Sequence, residues 1–168
     1  MNIRLYEEPD WPQLWQILEG ICRAGETYVF SREITEEQAK QIWIGTPQAT
    51  YVAVDDDGRT VLGTYYLKSN FPGLGDHIAN CGYAVAANAY GRGVASAMCE
   101  HSLGQARQRG FKAMQFNYVV STNERAVKLW QRFGFQIIGV IPKGFRHARL
   151  GNVDVYIMHQ HLEDGDSR

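Results

Sequence analysis

With 168 residues, 45% of them apolar and 21% charged, the chain reads as one globular domain over 1–168 with a frayed tail from 162 to 168. A net charge of −1 without any lysine–arginine block excludes a nucleic acid held through its phosphates. No apolar run is long enough for a membrane span, the N-terminus carries no signal-peptide core, and Cys22, Cys81 and Cys99 form no C-x-x-C pair, which predicts buried, reduced thiols in a cytoplasmic protein.

Ile3 to Tyr6 alternates as a first strand, and Asp10 stands where it would cap the following helix, with Pro12 in the first turn. Trp11, Leu14, Trp15, Leu18, Ile21 and Cys22 share one helical face and predict core packing. Gly25 to Phe30 is a loop of unusual aromatic content. Thr35 opens a short second helix with a capping-box pattern to Gln38 and predicts burial of Ala39, Ile42 and Trp43, and Pro47 ends that region. This helix–loop–helix suits a substrate lid or, equally, an edge that packs a partner subunit.

Residues 49–54 and 60–68 are expected as antiparallel strands joined by the turn Asp55-Asp56-Asp57-Gly58, whose acids read as solvated and too few for calcium. A loop at 70–75 leads to a strand over 78–85. Further strands are expected at 113–119, 135–141 and 153–158, with helices at 94–109 and 123–133, the latter stopped by Gly134. His159 and His161 share a strand face, but no histidine has a metal-ligand spacing, so no metal site is expected.

Between the strand at 78–85 and the helix from 94 lies Tyr90-Gly91-Arg92-Gly93-Val94-Ala95-Ser96. Its glycines permit a sharp turn and remove Cβ atoms that would hold a ligand off. The first helical turn then offers unpaired N–H groups, and Arg92 adds a formal charge, which makes a phosphate cradle. A P-loop is excluded because no Gly-Lys-Ser or Gly-Lys-Thr occurs. A dinucleotide fingerprint is excluded because Ser96 replaces the third glycine and 113–119 hold no acid. Taken alone, the loop reads as well as a plain strand–helix turn.

The turn resembles the [QR]-x-x-G-x-[GA] pyrophosphate loop of the GCN5-related N-acetyltransferases (GNAT), with Tyr90 in place of the usual Gln or Arg. Asn123 to Phe135 is similar to that family's second signature, N-x-x-A-x-x-[LF]-Y-x-x-x-G-F, except at Trp130. The two motifs stand in the family's order, one strand apart, and the resemblance covers nearly the whole chain. It implies an α+β fold in α/β/α layers: a mixed, mostly antiparallel sheet splayed in the middle and flanked by about four helices. It further implies acetyl-CoA in the cleft between 78–85 and 113–119, its pyrophosphate on 90–96 (Tyr90, Gly91, Arg92, Gly93, Val94, Ala95, Ser96). Its pantetheine would run along backbone at Tyr83, Val85 and Ala87, with Asn123, Ala126 and Trp130 from the second motif completing the cosubstrate site. Asn123 reads equally as a plain helix cap. A homodimer is implied in the same way.

By this resemblance an amine attacks the thioester carbonyl, an oxyanion forms against backbone N–H groups, and the CoA thiolate departs, with no covalent intermediate. Many family members carry a tyrosine acid at position 130 and a glutamate base on the strand before the cradle. Here Trp130 offers only an indole N–H, and Asn80 stands on a strand without an acid from 78 to 86. Tyr118 is the candidate acid, a water chain to Glu26 or to backbone carbonyls the candidate base, and Asn117 completes the candidate catalytic set. Around Gly25-Glu26-Thr27-Tyr28, Asn80-Cys81-Gly82-Tyr83 and 116–123 the chain is similar to the azetidine-2-carboxylate (proline-analogue) N-acetyltransferase branch. That likeness implies substrate contacts from Asn80 and Asn117, with Tyr28 in the lid. Arg146, expected in the loop before the last strand, either pairs a substrate carboxylate or decorates the surface. The expected acceptor is a small amine or amino acid; a protein N-terminus or lysine, and a silent CoA-binding module, are the alternatives.

Overall fold

The computed structural model describes residues 1–162, so 163–168 of the expected frayed tail lie outside the described residues. Leu162 corrects that expectation: it is 3% exposed, and its N–H donates to the Lys112 carbonyl at 2.9 Å. Among the described residues seven strands form one sheet: β1 (Asn2–Leu5), β2 (Ala49–Val54), β3 (Val61–Ser69), β4 (Ile78–Val85), β5 (Ala113–Val120), β6 (Gln136–His147) and β7 (Gly151–His161). Their order is β1-β2-β3-β4-β5-β7-β6, antiparallel throughout except for the β4–β5 pair.

Four helices among the described residues cover it: α1 (Trp11–Ala24), α2 (Glu36–Lys40, continued by a π turn over Gln41–Gly45), α3 (Val94–Gln108) and α4 (Glu124–Arg132). One core, with Trp11, Leu14, Leu18 and Trp43, lies between α1–α2 and the sheet. The second, with Met98, Cys99, Leu103 and Trp130, lies under α3 and α4. This is the layered α+β fold expected from the two motifs.

Local chemistry explains most element ends. Gly25 closes α1 at φ +66°, in the left-handed region that favours glycine. Thr35 and Gln38 exchange both capping-box bonds, 3.2 Å and 3.0 Å. Asp10 departs from its expected capping role because Glu8–Asp10 is already a 3-10 turn running into α1. Its carboxylate instead accepts two bonds of 2.8 Å from Arg4 and one of 2.8 Å from the Glu7 N–H. The Arg4 hydrogen bonds hold its pKa below the ordinary carboxylate range despite burial.

Two features set the site. β4 and β5 pair only at Ile78↔Ala113 and Ala79↔Met114, and beyond that point the two strands diverge. β5 also carries a bulge against β7, where Phe116↔Met158 is followed by Val119↔Tyr156, so one extra residue is accommodated around Asn117 and Tyr118. β6 differs from its expected end at residue 141. Ile141↔Val155 is followed by Phe145↔Val153, so Pro142, Lys143 and Gly144 form a bulge and the strand continues to His147. Arg146 is therefore a strand residue, not part of a loop.

Candidate functional site

The divergence of β4 from β5 opens a cavity of about 870 Å³. Its floor is the apex of the split, where Asn80 Nδ2 donates to the Gln115 carbonyl at 2.9 Å and bridges the strands just past their last paired residues. Asn80 is 8% exposed, so this bond satisfies a polar group that burial would otherwise penalise. Across the split, Asn117 Nδ2 donates to Asn70 Oδ1 at 2.6 Å, and Asn117 Oδ1 accepts from Gln115 Nε2 at 3.0 Å. Asn80 and Asn117 thus meet the same cavity from neighbouring strands. Tyr118, beside the β5 bulge, lines it too. The Tyr118 hydroxyl donates to the Gly144 carbonyl of the β6 bulge.

The glycine turn forms one wall. Gly91 and Gly93 have φ of +80° and +78°, and no heavy atom lies within 4 Å of where a Cβ would sit at either. The turn is therefore an open concavity feeding the N-terminus of α3, a geometry that fits a phosphate group. Tyr90, Val94, Ala95 and Ser96 line the cavity with these glycines. Tyr83 and Val85 of β4 and Asn123, Ala126 and Trp130 of the second motif line it as well. Asn123 caps α4, its Oδ1 accepting from the Ala126 N–H at 3.3 Å. Trp130 is 8% exposed, its ring 4.8 Å from Tyr83 and 5.0 Å from Phe116.

The other side is roofed by the loop after α1. Tyr28 stacks on Phe30 at 5.3 Å and meets Trp43 edge-on at 5.8 Å, and Trp43 meets Tyr66 edge-on at 4.9 Å. The Tyr28 hydroxyl donates to the Tyr83 carbonyl at 2.8 Å, fixing the roof to the open edge of β4. Burial raises the phenol pKa of Tyr28 and Tyr83 well above the ordinary value and pushes Tyr66 up to about 12, so all three stay protonated near neutral pH.

Four expected residues lie elsewhere. Glu26 does not line the cavity; Arg149 of the β6–β7 turn donates to it at 2.7 Å, so its carboxylate is committed outward. Arg146 is exposed on β6, outside the cavity lining. Ala87 lies in the 3-10 turn Ala87–Ala89 and is also outside it. Arg92 points its guanidinium at Asp55, 3.0 Å away, so the cradle's charge is engaged and the hairpin acid is not simply solvated. That hydrogen bond lowers the Asp55 pKa.

Four cations that no motif position specifies line the cavity: Lys68, and Arg125, Lys128 and Arg132 at variable positions of the second motif. The last three recur at i, i+3 and i+7 on α4, a one-face spacing readable from sequence. Arg132 donates to Ser96 at 3.2 Å, and the Arg125 guanidinium lies 5.8 Å from the Tyr90 ring centroid. Lys68 had no such signal, because only strand pairing brings it to the cavity. Among the described residues no Asp or Glu lines it.

Residues 11–135 match the family model described as acetyltransferase (GNAT) family. The N-acetyltransferase aca1 of Schizosaccharomyces pombe is 30% identical over 158 residues, covering 83% of this chain and 76% of the relative. A GCN5-related N-acetyltransferase from Kribbella flavida superposes with a TM-score of 0.91 at 45% identity, covering 95% of this chain and 96% of its own. A GNAT superfamily phosphinothricin acetyltransferase from Sinorhizobium meliloti, solved in complex with acetyl-CoA, shares the fold at 17% identity with a TM-score of 0.85, over 99% of this chain and 91% of its own.

Proposed function

The chain belongs to the acetyltransferase (GNAT) family and is an acetyl-CoA-dependent N-acetyltransferase. From that premise we propose that its acceptor is the amino group of a small amino-acid-like or amine metabolite. The observation that carries this reading is the aromatic roof: Tyr28, packed on Phe30 and Trp43 and bonded to the Tyr83 carbonyl, covers the side of the split away from the glycine turn. A cavity of about 870 Å³ must take the acetyl-pantetheine arm as well as the acceptor, and small-molecule sites span roughly 300–1,000 Å³. Little room is left for a protein tail. The likeness of 25–28, 80–83 and 116–123 to the proline-analogue branch supports the same class.

In this reading acetyl-CoA supplies the acetyl group as its thioester, and the chain binds and orients. The glycine turn and the N-terminus of α3 hold the phosphates, with the cationic face of α4 beside them. The diverged edge of β4 aligns the pantetheine, and Trp130 and Phe116 exclude water. Asn80 and Asn117 position the amine at the apex. Catalysis is then mostly proximity and orientation, without a dedicated carboxylate base. We carry the homodimer as part of the proposal: Ile138 and Val140 are 58% and 51% exposed on β6, at the sheet's edge. Light scattering on the purified protein tests it.

Two outcomes follow for kinetics. The double variant Arg125→Glu/Lys128→Glu is expected to raise the KM for acetyl-CoA about tenfold with kcat nearly unchanged, an effect that shrinks as salt is added. Steady-state assays at two ionic strengths check it. Because no carboxylate or imidazole lines the cavity among the described residues, kcat/KM should follow the free-amine fraction. It would rise about tenfold per pH unit until it levels near the amine's own pKa. A break between pH 6 and 7 would instead reveal a group on the protein acting as base.

The test of the function itself is thiol release from acetyl-CoA across amino acids, proline analogues, polyamines, aminoglycosides and short peptides, with product masses. Turnover of a small amine supports the proposal. Preference for peptides replaces it with protein acetylation.

A further inference from the structure

We propose that Lys68 anchors a carboxylate on the acceptor, so that the amine acetylated is that of a small amino acid rather than a simple amine or a polycation; this rests on the small-acceptor reading above. Lys68 and Asn80 are direct partners across β3 and β4, which sets their side chains next to each other on one face. Tyr66 shares that face two residues earlier, and the Lys68 ammonium stands 5.6 Å from its ring centroid. Tyr66 belongs to the core beneath α1 and α2, the side closed by Tyr28, whereas Arg125, Lys128 and Arg132 lie on α4 beside the glycine turn. The cavity therefore has two cationic poles, one at the cradle and one at the roofed end.

The second pole has no counter-charge among the described residues. Among the described residues no carboxylate pairs with Lys68, and no Asp or Glu lines the cavity at all. A cation held against an aromatic ring in a half-buried pocket attracts an anion strongly, because bulk water screens it less than at an open surface. Beside it, Asn80 commits its Nδ2 to the Gln115 carbonyl, which leaves Oδ1 as the acceptor for an amine N–H. A cation adjacent to a carboxamide oxygen matches an α-amino acid, whose carboxylate and amine are one carbon apart. The same field opposes polyamines and aminoglycosides, which would bring positive charge to an ammonium without compensation.

The test compares matched pairs on the wild-type protein: proline with prolinamide, alanine with alaninamide, and azetidine-2-carboxylate with its carboxamide. Rates are read as thiol release at equal free-amine concentration, since amidation lowers the amine pKa. The carboxylate member is expected to be preferred about 30-fold in kcat/KM, the size of a charge-assisted hydrogen bond, and chiefly through the acceptor KM. Lys68→Met should shrink that ratio to within about threefold, and Lys68→Arg should restore most of it. A purely structural role would slow both members alike and leave the ratio intact. Equal use of both members by the wild type, or an unchanged ratio in Lys68→Met, overturns the anchor and leaves the small-amine reading standing. Acetylation of peptides alone overturns both. Should Lys68→Met fail to fold, Lys68→Gln takes its place in the same ratio comparison.

Discussion

Replacing Gly93 by valine is expected to raise the KM for acetyl-CoA about 100-fold, as two charge-assisted backbone contacts to phosphate are lost. Gly93 is the residue before α3, at φ +78°. A β-branched side chain strains that conformation by about 1–3 kcal/mol, and the turn relaxes by moving its N–H groups off the ligand. Bulk is not the cause, since no heavy atom lies within 4 Å of the added Cβ. The companion variant Gly58→Val separates strain from function. Gly58 has φ +69° and equally open surroundings, but it sits in the β2–β3 turn away from the cavity lining. Its stability should fall similarly while the KM stays near wild type. Steady-state kinetics and thermal melts on both variants give the comparison, and equal KM effects would remove the turn from the cosubstrate site.

Trp130→Ala is expected to cost about 3–5 kcal/mol of stability, as for other buried tryptophans cut to alanine. The indole fills the space between Tyr83 and Phe116, with Phe135 stacked on Phe116 at 4.3 Å, so its loss leaves a void that three neighbouring rings cannot close. A fall in Tm of about 10 °C or more should follow for a domain of this size. Trp130→Phe, which keeps most of the contact, should lose well under half as much. If the alanine variant melts within about 2 °C of wild type, the ring cluster is not part of the stabilising core.

Much of the fold was legible in the chain because it depends on local rules. The α1 stripe, the Thr35–Gln38 box, the Gly134 stop and the glycine turn before α3 each follow from side-chain spacing or from a backbone angle that only certain residues tolerate. The likeness of the two motifs to the family's signatures likewise implied a split sheet, which the short β4–β5 pairing bears out. Local rules failed where a rule had two solutions. Pro142-Lys143-Gly144 reads as a loop, yet the ladder to β7 absorbs it as a bulge and carries β6 on to His147. Asp10 had the composition of a cap, but Arg4 on the neighbouring strand offered its carboxylate a stronger partner.

The acceptor end of the site was least legible, for a reason that particular residues show. Glu26 and Arg149 are 123 positions apart, and only the folded chain brings them together, which withdraws the glutamate from the cavity. Arg92 pairs with Asp55 of the β2–β3 turn, a contact that its place in the motif does not show. Lys68 carried no motif, but its register opposite Asn80 brings a cation to the apex of the split. The sequence by itself determined most of the elements, the glycine turn and the family, because spacing and backbone angle act over a few residues. Which side chains face the cavity, and which are engaged by a partner elsewhere, only the tertiary structure decided, because charge pairing and strand register couple residues across the whole chain.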